Sequence, residues 1–124
     1  MKDINKILYI EDELDIQAIT KIALCDIGGF TLEICSSGKE AIQKISSFNP
    51  DLILIDVMMP EMDGPETLIE LKKIKGMESI PVIFMTAKVQ KQEITYYKSL
   101  GAINVISKPF DPMNLAQQIK NILQ

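Results

Sequence analysis

The chain contains no histidine. That excludes an imidazole general base, a His-ligated zinc site and an internal phosphohistidine, so any histidine-based phosphate donor has to be another protein. Cysteine is scarce too. Cys25 and Cys35 lack metal or redox spacing and read as buried thiols of a cytosolic protein. Basic charge is short: 13 lysines and arginines face 17 acids, a net charge of −4, which disfavours direct nucleic-acid binding. Lys72, Lys73 and Lys75 sit close together and read as the solvated end of a helix rather than a phosphate patch. Long apolar runs are missing, so neither a membrane span nor a signal peptide is expected. No linker, low-complexity tract or repeat interrupts the chain. With 124 residues, 47% hydrophobic and 24% charged, the expectation is one globular domain over 1–124.

What is present is a set of short apolar runs that end in charge. Leu52-Ile53-Leu54-Ile55 runs into Asp56, Ile7-Leu8-Tyr9-Ile10 into Glu11-Asp12, and Val105-Ile106-Ser107 into Lys108. Four aliphatic residues in a row suit a parallel strand buried on both faces. A carboxylate inside such a layer is costly, so the strand is expected to leave the core at Asp56. Tyr9 reads as a strand residue without a chemical role.

Five such runs start near Lys6, Thr31, Asp51, Pro81 and Ile103, alternating with helical stretches. Ile16, Ile19, Ala23 and Ile27 predict one apolar stripe on the first helix. Ser37 and Glu40 predict a capping box on the second, Gly64-Pro65 the start of the third, and Asp111-Pro112 the start of the last. The fourth lies around Gln90 to Ser99. Strict alternation of strand and helix predicts an α/β, doubly wound parallel sheet.

In such sheets ligands bind beyond the carboxyl ends of the strands. The residues expected there are Glu11, Asp12, Asp56, Thr86 and Lys108. Clustered carboxylates repel one another, and oxygen donors without histidine or cysteine suit Mg²⁺. Lys108 and Thr86 offer a positive charge and a hydroxyl to a phosphoryl oxygen, a set able to stabilise in-line transfer onto a carboxylate. Glu13 and Asp15 read as acids favouring the positive end of the first helix. Asp63-Gly64 reads as turn and cap chemistry rather than metal binding.

Glu11-Asp12, the segment Leu54-Ile55-Asp56-Val57-Met58-Met59-Pro60-Glu61-Met62-Asp63-Gly64, Thr86-Ala87 and Lys108-Pro109-Phe110 together resemble the receiver domain of bacterial two-component response regulators. The resemblance covers essentially the whole chain. It implies a single flavodoxin-like (βα)5 domain with strand order 2-1-3-4-5. It implies that Asp56 accepts a phosphoryl group from a histidine kinase or histidine phosphotransfer protein. Mg²⁺ would then be held by Asp12 directly, by Glu11 more through water, by Asp56, and by the backbone carbonyl of Met58. Lys108 would pair with the aspartate at rest and with the phosphoryl group afterwards, Thr86 would move to that group, and Lys108–Pro109 would be a cis peptide.

One departure stands out. Family members often carry an aromatic residue three positions before the lysine, coupled to the threonine; here that position is Val105. Ile103 and Val105 then give an apolar face for partner docking or for homodimerisation on phosphorylation, unless neighbouring helices cover them.

The leading expectation is a cytoplasmic phosphoacceptor switch that modifies only itself and acts on an unknown downstream protein by contact. A stand-alone receiver is preferred because no output segment follows Gln124; a receiver excised from a longer regulator or hybrid kinase is the alternative. An aspartate-nucleophile phosphohydrolase is less suited, since Met58 stands where a second aspartate is common and no cap fits. A flavodoxin-like electron carrier would find its phosphate repelled by Glu11-Asp12-Glu13. A phosphorylation-independent interaction module leaves the acids, threonine and lysine unexplained.

Overall fold

Aliphatic runs without polar interruption form the centre of the molecule because both faces of each strand are covered. In the computed structural model, which describes residues 4–124, strands β1 (Lys6–Ile10), β2 (Thr31–Cys35), β3 (Leu52–Asp56), β4 (Val82–Thr86) and β5 (Asn104–Ser107) build one parallel sheet of order β2-β1-β3-β4-β5. Helices α1 (Leu14–Lys21), α2 (Gly38–Phe48), α3 (Gly64–Lys72), α4 (Lys91–Ser99) and α5 (Leu115–Ile122) follow the strands in turn. This is the doubly wound sheet the alternation predicted.

Side chains alternate across a strand, so the sheet feeds two cores. Leu8, Ile10, Ile53, Ile55 and Phe84 face α2, α3 and α4, meeting Ala41, Ile45, Leu68, Leu71 and Tyr97. Ile7, Tyr9, Leu52, Leu54, Ile83 and Met85 face α1 and α5, meeting Ala23, Leu24, Leu115 and Ile119. The register sets Ile10 beside Ile55, Asp56 beside Met85 and Thr86 beside Ser107. The strand ends that carry charge therefore lie along one edge.

Several local expectations are corrected. The first helix does not bury one stripe: Thr20, Ala23 and Leu24 face inward, while Ile19 and Ile27 are exposed. Ile19 already points outward within the regular turns, and a π-helical segment over Ile22–Ile27, whose wider turn shifts later side chains off a 3.6-residue repeat, accompanies the outward position of Ile27. Ser37 Oγ accepts from the Glu40 amide at 3.1 Å, but the Glu40 carboxylate takes the Ser36 amide, leaving half a capping box. The full box opens α3, where Asp63 and Glu66 exchange side chain-to-backbone bonds of 2.9 and 3.1 Å. Asp111 and Pro112 form a separate turn, with the Asn114 amide on the Asp111 carbonyl, and α5 begins after it at Leu115. Lys72 is not solvated, since its ammonium donates to the carbonyls of Ile80 (2.7 Å) and Glu78 (3.1 Å) and straps the loop into β4.

Candidate functional site

The order β2-β1-β3 puts the topological switch between β1 and β3, and the acids lie beyond those two strands. Glu11 follows β1 and is fully buried, its amide tied to the Cys35 carbonyl at 3.0 Å. Asp56 closes β3 and is 4% exposed. The sequence expectation that the strand emerges from the core here is therefore corrected. The carboxylate stays inside because Lys108, brought by the turn after β5, places its ammonium 2.8 Å from Asp56 Oδ1 and 2.9 Å from Glu11 Oε1. Lys108 is itself held by its amide on the Thr86 carbonyl at 2.9 Å, and its peptide to Pro109 is cis.

Glu11, Asp12 and Asp56 each offer a carboxylate oxygen within 4.8 Å of the others. Burial pushes the Glu11 and Asp56 carboxyls above the usual range, with Lys108 pulling the other way. Burial also works to lower the Lys108 ammonium, but the hydrogen bonds it donates to Asp56 and Glu11 overcome it and hold it above its usual value. Lys108 serves Glu11 and Asp56 but not Asp12. Asp12 Oδ1 is buried and, among the described residues, has no hydrogen-bond partner. A buried anionic oxygen in that state is costly. An all-oxygen cluster with one orphaned oxygen is chemically suited to a hard cation.

Thr86 is buried at the end of β4, its Oγ1 accepting from the Lys88 amide at 3.0 Å. Met58 lies in the loop after β3 with its side chain exposed. Asp63 is taken up by the α3 cap and lies outside the acidic cluster. Ile103 precedes β5 and is 41% exposed, whereas Val105 is half-buried and packs against the core over β4.

Two tyrosines were missed in the sequence. Tyr9 is not a plain strand residue: its hydroxyl lies 3.0 Å from Thr20 Oγ1 and donates to Glu11 Oε1 at 3.4 Å. An unbroken polar chain thus runs from α1 through Glu11 and Lys108 to Asp56. Removing the hydroxyl in Tyr9→Phe leaves Thr20 and Glu11 short of a partner, and a loss of about 1 kcal/mol in urea unfolding is expected. Tyr97 of α4 is the second; it is 5% exposed and packs its ring on Phe84 with the centroids 5.3 Å apart. For Tyr9 the signal was a polar tip on a residue whose strand neighbours are all apolar and buried.

A family model, the response regulator receiver domain, matches residues 7–120. The chain belongs to the response regulator receiver family. Among curated relatives, the probable transcriptional regulator ycf29 of Pyropia yezoensis is 39% identical over 119 residues, 95% of this chain and 53% of that protein. The response regulator SaeR of Staphylococcus aureus is 37% identical over 117 residues, 94% of this chain and 50% of that protein. The chain thus spans about half the length of these relatives. Among solved structures, the chemotaxis protein CheY4 of Vibrio cholerae superposes with a TM-score of 0.88 at 26% identity, covering 97% of this chain and 99% of that one. The receiver domain of a signal transduction histidine kinase from Syntrophus aciditrophicus gives 0.81 at 34% identity, with 96% and 89% covered. Receivers are signalling switches rather than classical enzymes. Among the described residues, no helix is long and apolar enough to cross a membrane.

Proposed function

We propose that this receiver is a phosphoacceptor switch in which the Asp56 carboxylate takes a phosphoryl group from a phosphohistidine of a partner kinase or phosphotransfer protein. The observation that carries the reading is Lys108 bridging Asp56 and Glu11 while Asp12 keeps an unpaired buried oxygen beside them. An oxygen of Asp56 attacks phosphorus, the P–N bond breaks, and the imidazole leaves. Mg²⁺, held by Asp12, Asp56, Glu11 and the Met58 carbonyl, would offset the charge shared by the acids and the incoming phosphoryl oxygens. Lys108 keeps Asp56 oriented at rest and follows the phosphoryl group afterwards as a mobile positive charge. The Thr86 hydroxyl turns from the Lys88 amide to a phosphoryl oxygen, which adds roughly −1.5 to −2 charge to respond to.

The missing histidine supports a donor outside this domain. Such a donor approaches over the rim of Ile16, Ile19, Ala87, Pro109 and Phe110, an apolar groove that opens beside Lys108. Output runs through protein contact in the cytoplasm, including a phosphorylation-dependent homodimer, with exposed Ile103 and half-buried Val105 on the contact face. The same domain serves equally as one part of a longer regulator, since its curated relatives are about twice its length.

Incubation with Mg²⁺ and acetyl phosphate, followed by intact-mass measurement, tests the reading. One phosphate is expected on the unmodified chain and none on Asp56→Asn or in EDTA. Equal labelling of Asp56→Asn sinks the assignment.

A further inference from the structure

Asp12 differs from the other two acids in how it is held. Lys108 grips Glu11 and Asp56 through their carboxylates, whereas the buried Oδ1 of Asp12 has no hydrogen-bond partner among the described residues. The direction of such a side chain is set by its backbone. Here the main chain is pinned on both sides of Asp12. After it, the Glu13 amide donates to Glu11 Oε2 at 3.3 Å. Before it, the Glu11 carbonyl accepts from Gln17 Nε2 at 2.6 Å, which fixes the peptide joining Glu11 to Asp12.

Gln17 lies one turn into α1, half-buried, and grips this segment twice. Its backbone amide closes the first turn on the Glu13 carbonyl at 3.0 Å, and its side chain reaches back to the Glu11 carbonyl. The side-chain nitrogen carries two hydrogens, and the second goes to Ser36 Oγ at 3.1 Å, in the loop after β2. That loop is anchored in turn. The Ser36 amide donates to the Glu40 carboxylate of α2, and the Glu11 amide to the Cys35 carbonyl at 3.0 Å. A carbonyl only accepts, so the group facing Glu11 has to be a donor. Gln17 adds no charge to the cluster, and its contribution is orientation.

Resting on the Mg²⁺ site of the phosphoacceptor reading, we propose that Gln17 is a positioning residue for Asp12: by fixing the Glu11 carbonyl, it keeps the Asp12 carboxylate turned toward Glu11 and Asp56 before a cation arrives. A ligand already aimed has less freedom to lose on binding. Partners that orient a metal ligand without touching the metal are commonly worth tenfold or more in affinity. Lys108 and Gln17 thus divide the work. Lys108 neutralises two of the acids, and Gln17 aims the third.

The test uses the whole chain. Mg²⁺ is titrated into the unphosphorylated protein and followed on the backbone amide resonances of residues 11–13, with acetyl phosphate labelling read by intact mass in parallel. Gln17→Met keeps the length and helix preference of the side chain but not its donor, and should raise the Mg²⁺ midpoint roughly tenfold. Gln17→Ala should match it. Ser36→Ala leaves the Glu11 bond in place, and with water substituting for the hydroxyl it should stay within about twofold of the unmodified chain. Labelling of Gln17→Met should be slow at low Mg²⁺ and return to the unmodified rate at saturation, a split that a general loss of stability does not produce. An unchanged midpoint in Gln17→Met, a weakening in Gln17→Ala alone, or labelling that stays slow at saturation overturns the assignment and leaves the phosphoacceptor reading standing. Mg²⁺ binding without label on the unmodified chain removes that reading and leaves Gln17 in its role. No response to Mg²⁺ removes both.

Discussion

Lys108→Met is expected to lower the unfolding free energy by about 3 kcal/mol at pH 8 in EDTA, because it strands two buried carboxylates. Lys108 contacts Asp56 and Glu11 at 2.8 and 2.9 Å while itself 17% exposed on its side chain, so little solvent replaces it. The pH dependence fixes the cause. Burial raises both carboxyls in the folded protein, so across that window the folded state binds more protons than the unfolded state. Stability from these groups is therefore present below their unfolded values and lost as pH rises through the folded ones. Without Lys108 the upward shift widens, and the decline with pH steepens. The substitution should cost clearly less at about pH 5, where the acids take up protons, than at pH 8. Adding Mg²⁺ at pH 8 should recover part of the loss, since a cation takes over the neutralisation. Urea unfolding at the two pH values, with and without Mg²⁺, measures all of this. An equal loss at both pH values would place the effect in packing of the lysine stem.

Gly64→Ala is expected to cost about 2 kcal/mol or more through overpacking and to slow phosphorylation of Asp56 by roughly tenfold or more through misplacement of the acceptor. A Cβ at Gly64 would lie 2.7 Å from the Asp56 carbonyl oxygen and 2.9 Å from Val57 Cα, both backbone atoms that cannot swing aside. Gly64 also ties its amide to the Val57 carbonyl at 2.9 Å. The start of α3 must therefore move off the end of β3, and Asp56 moves with it. Stability and labelling rate should fall together. Unfolding curves and a time course of phosphate incorporation measure the two effects.

The sheet was legible because Leu52 to Ile55 and Ile7 to Ile10 carry apolar side chains on both faces, which a buried parallel strand requires and a half-exposed one does not. The identities of the edge residues were legible because charge appears abruptly after each run. Burial of Asp56 was not. Its compensating ammonium comes from Lys108, 52 positions later, and sequence spacing carries no information on that distance. The first helix misled because it buries the polar Thr20 rather than Ile19, and because a repeat of apolar residues does not disclose a π turn at Ile22–Ile27. The roles of Tyr9 and Tyr97 were hidden because each finds its partner on another element, the Tyr9 hydroxyl on Thr20 in α1 and the Tyr97 ring on Phe84 in β4. Asp111-Pro112 offered the composition of a helix start but spends it on a turn of its own.

The central claim is that the phosphoryl group resides on Asp56 as an acyl phosphate. Borohydride reduces such a mixed anhydride to the alcohol, turning the modified aspartate into homoserine, and peptide mapping then reads its position. After incubation with Mg²⁺ and acetyl phosphate, homoserine is expected at position 56 and nowhere else, and not at all when EDTA replaces Mg²⁺. Homoserine at position 12 or 63, or at position 56 to the same extent in EDTA, would contradict the account.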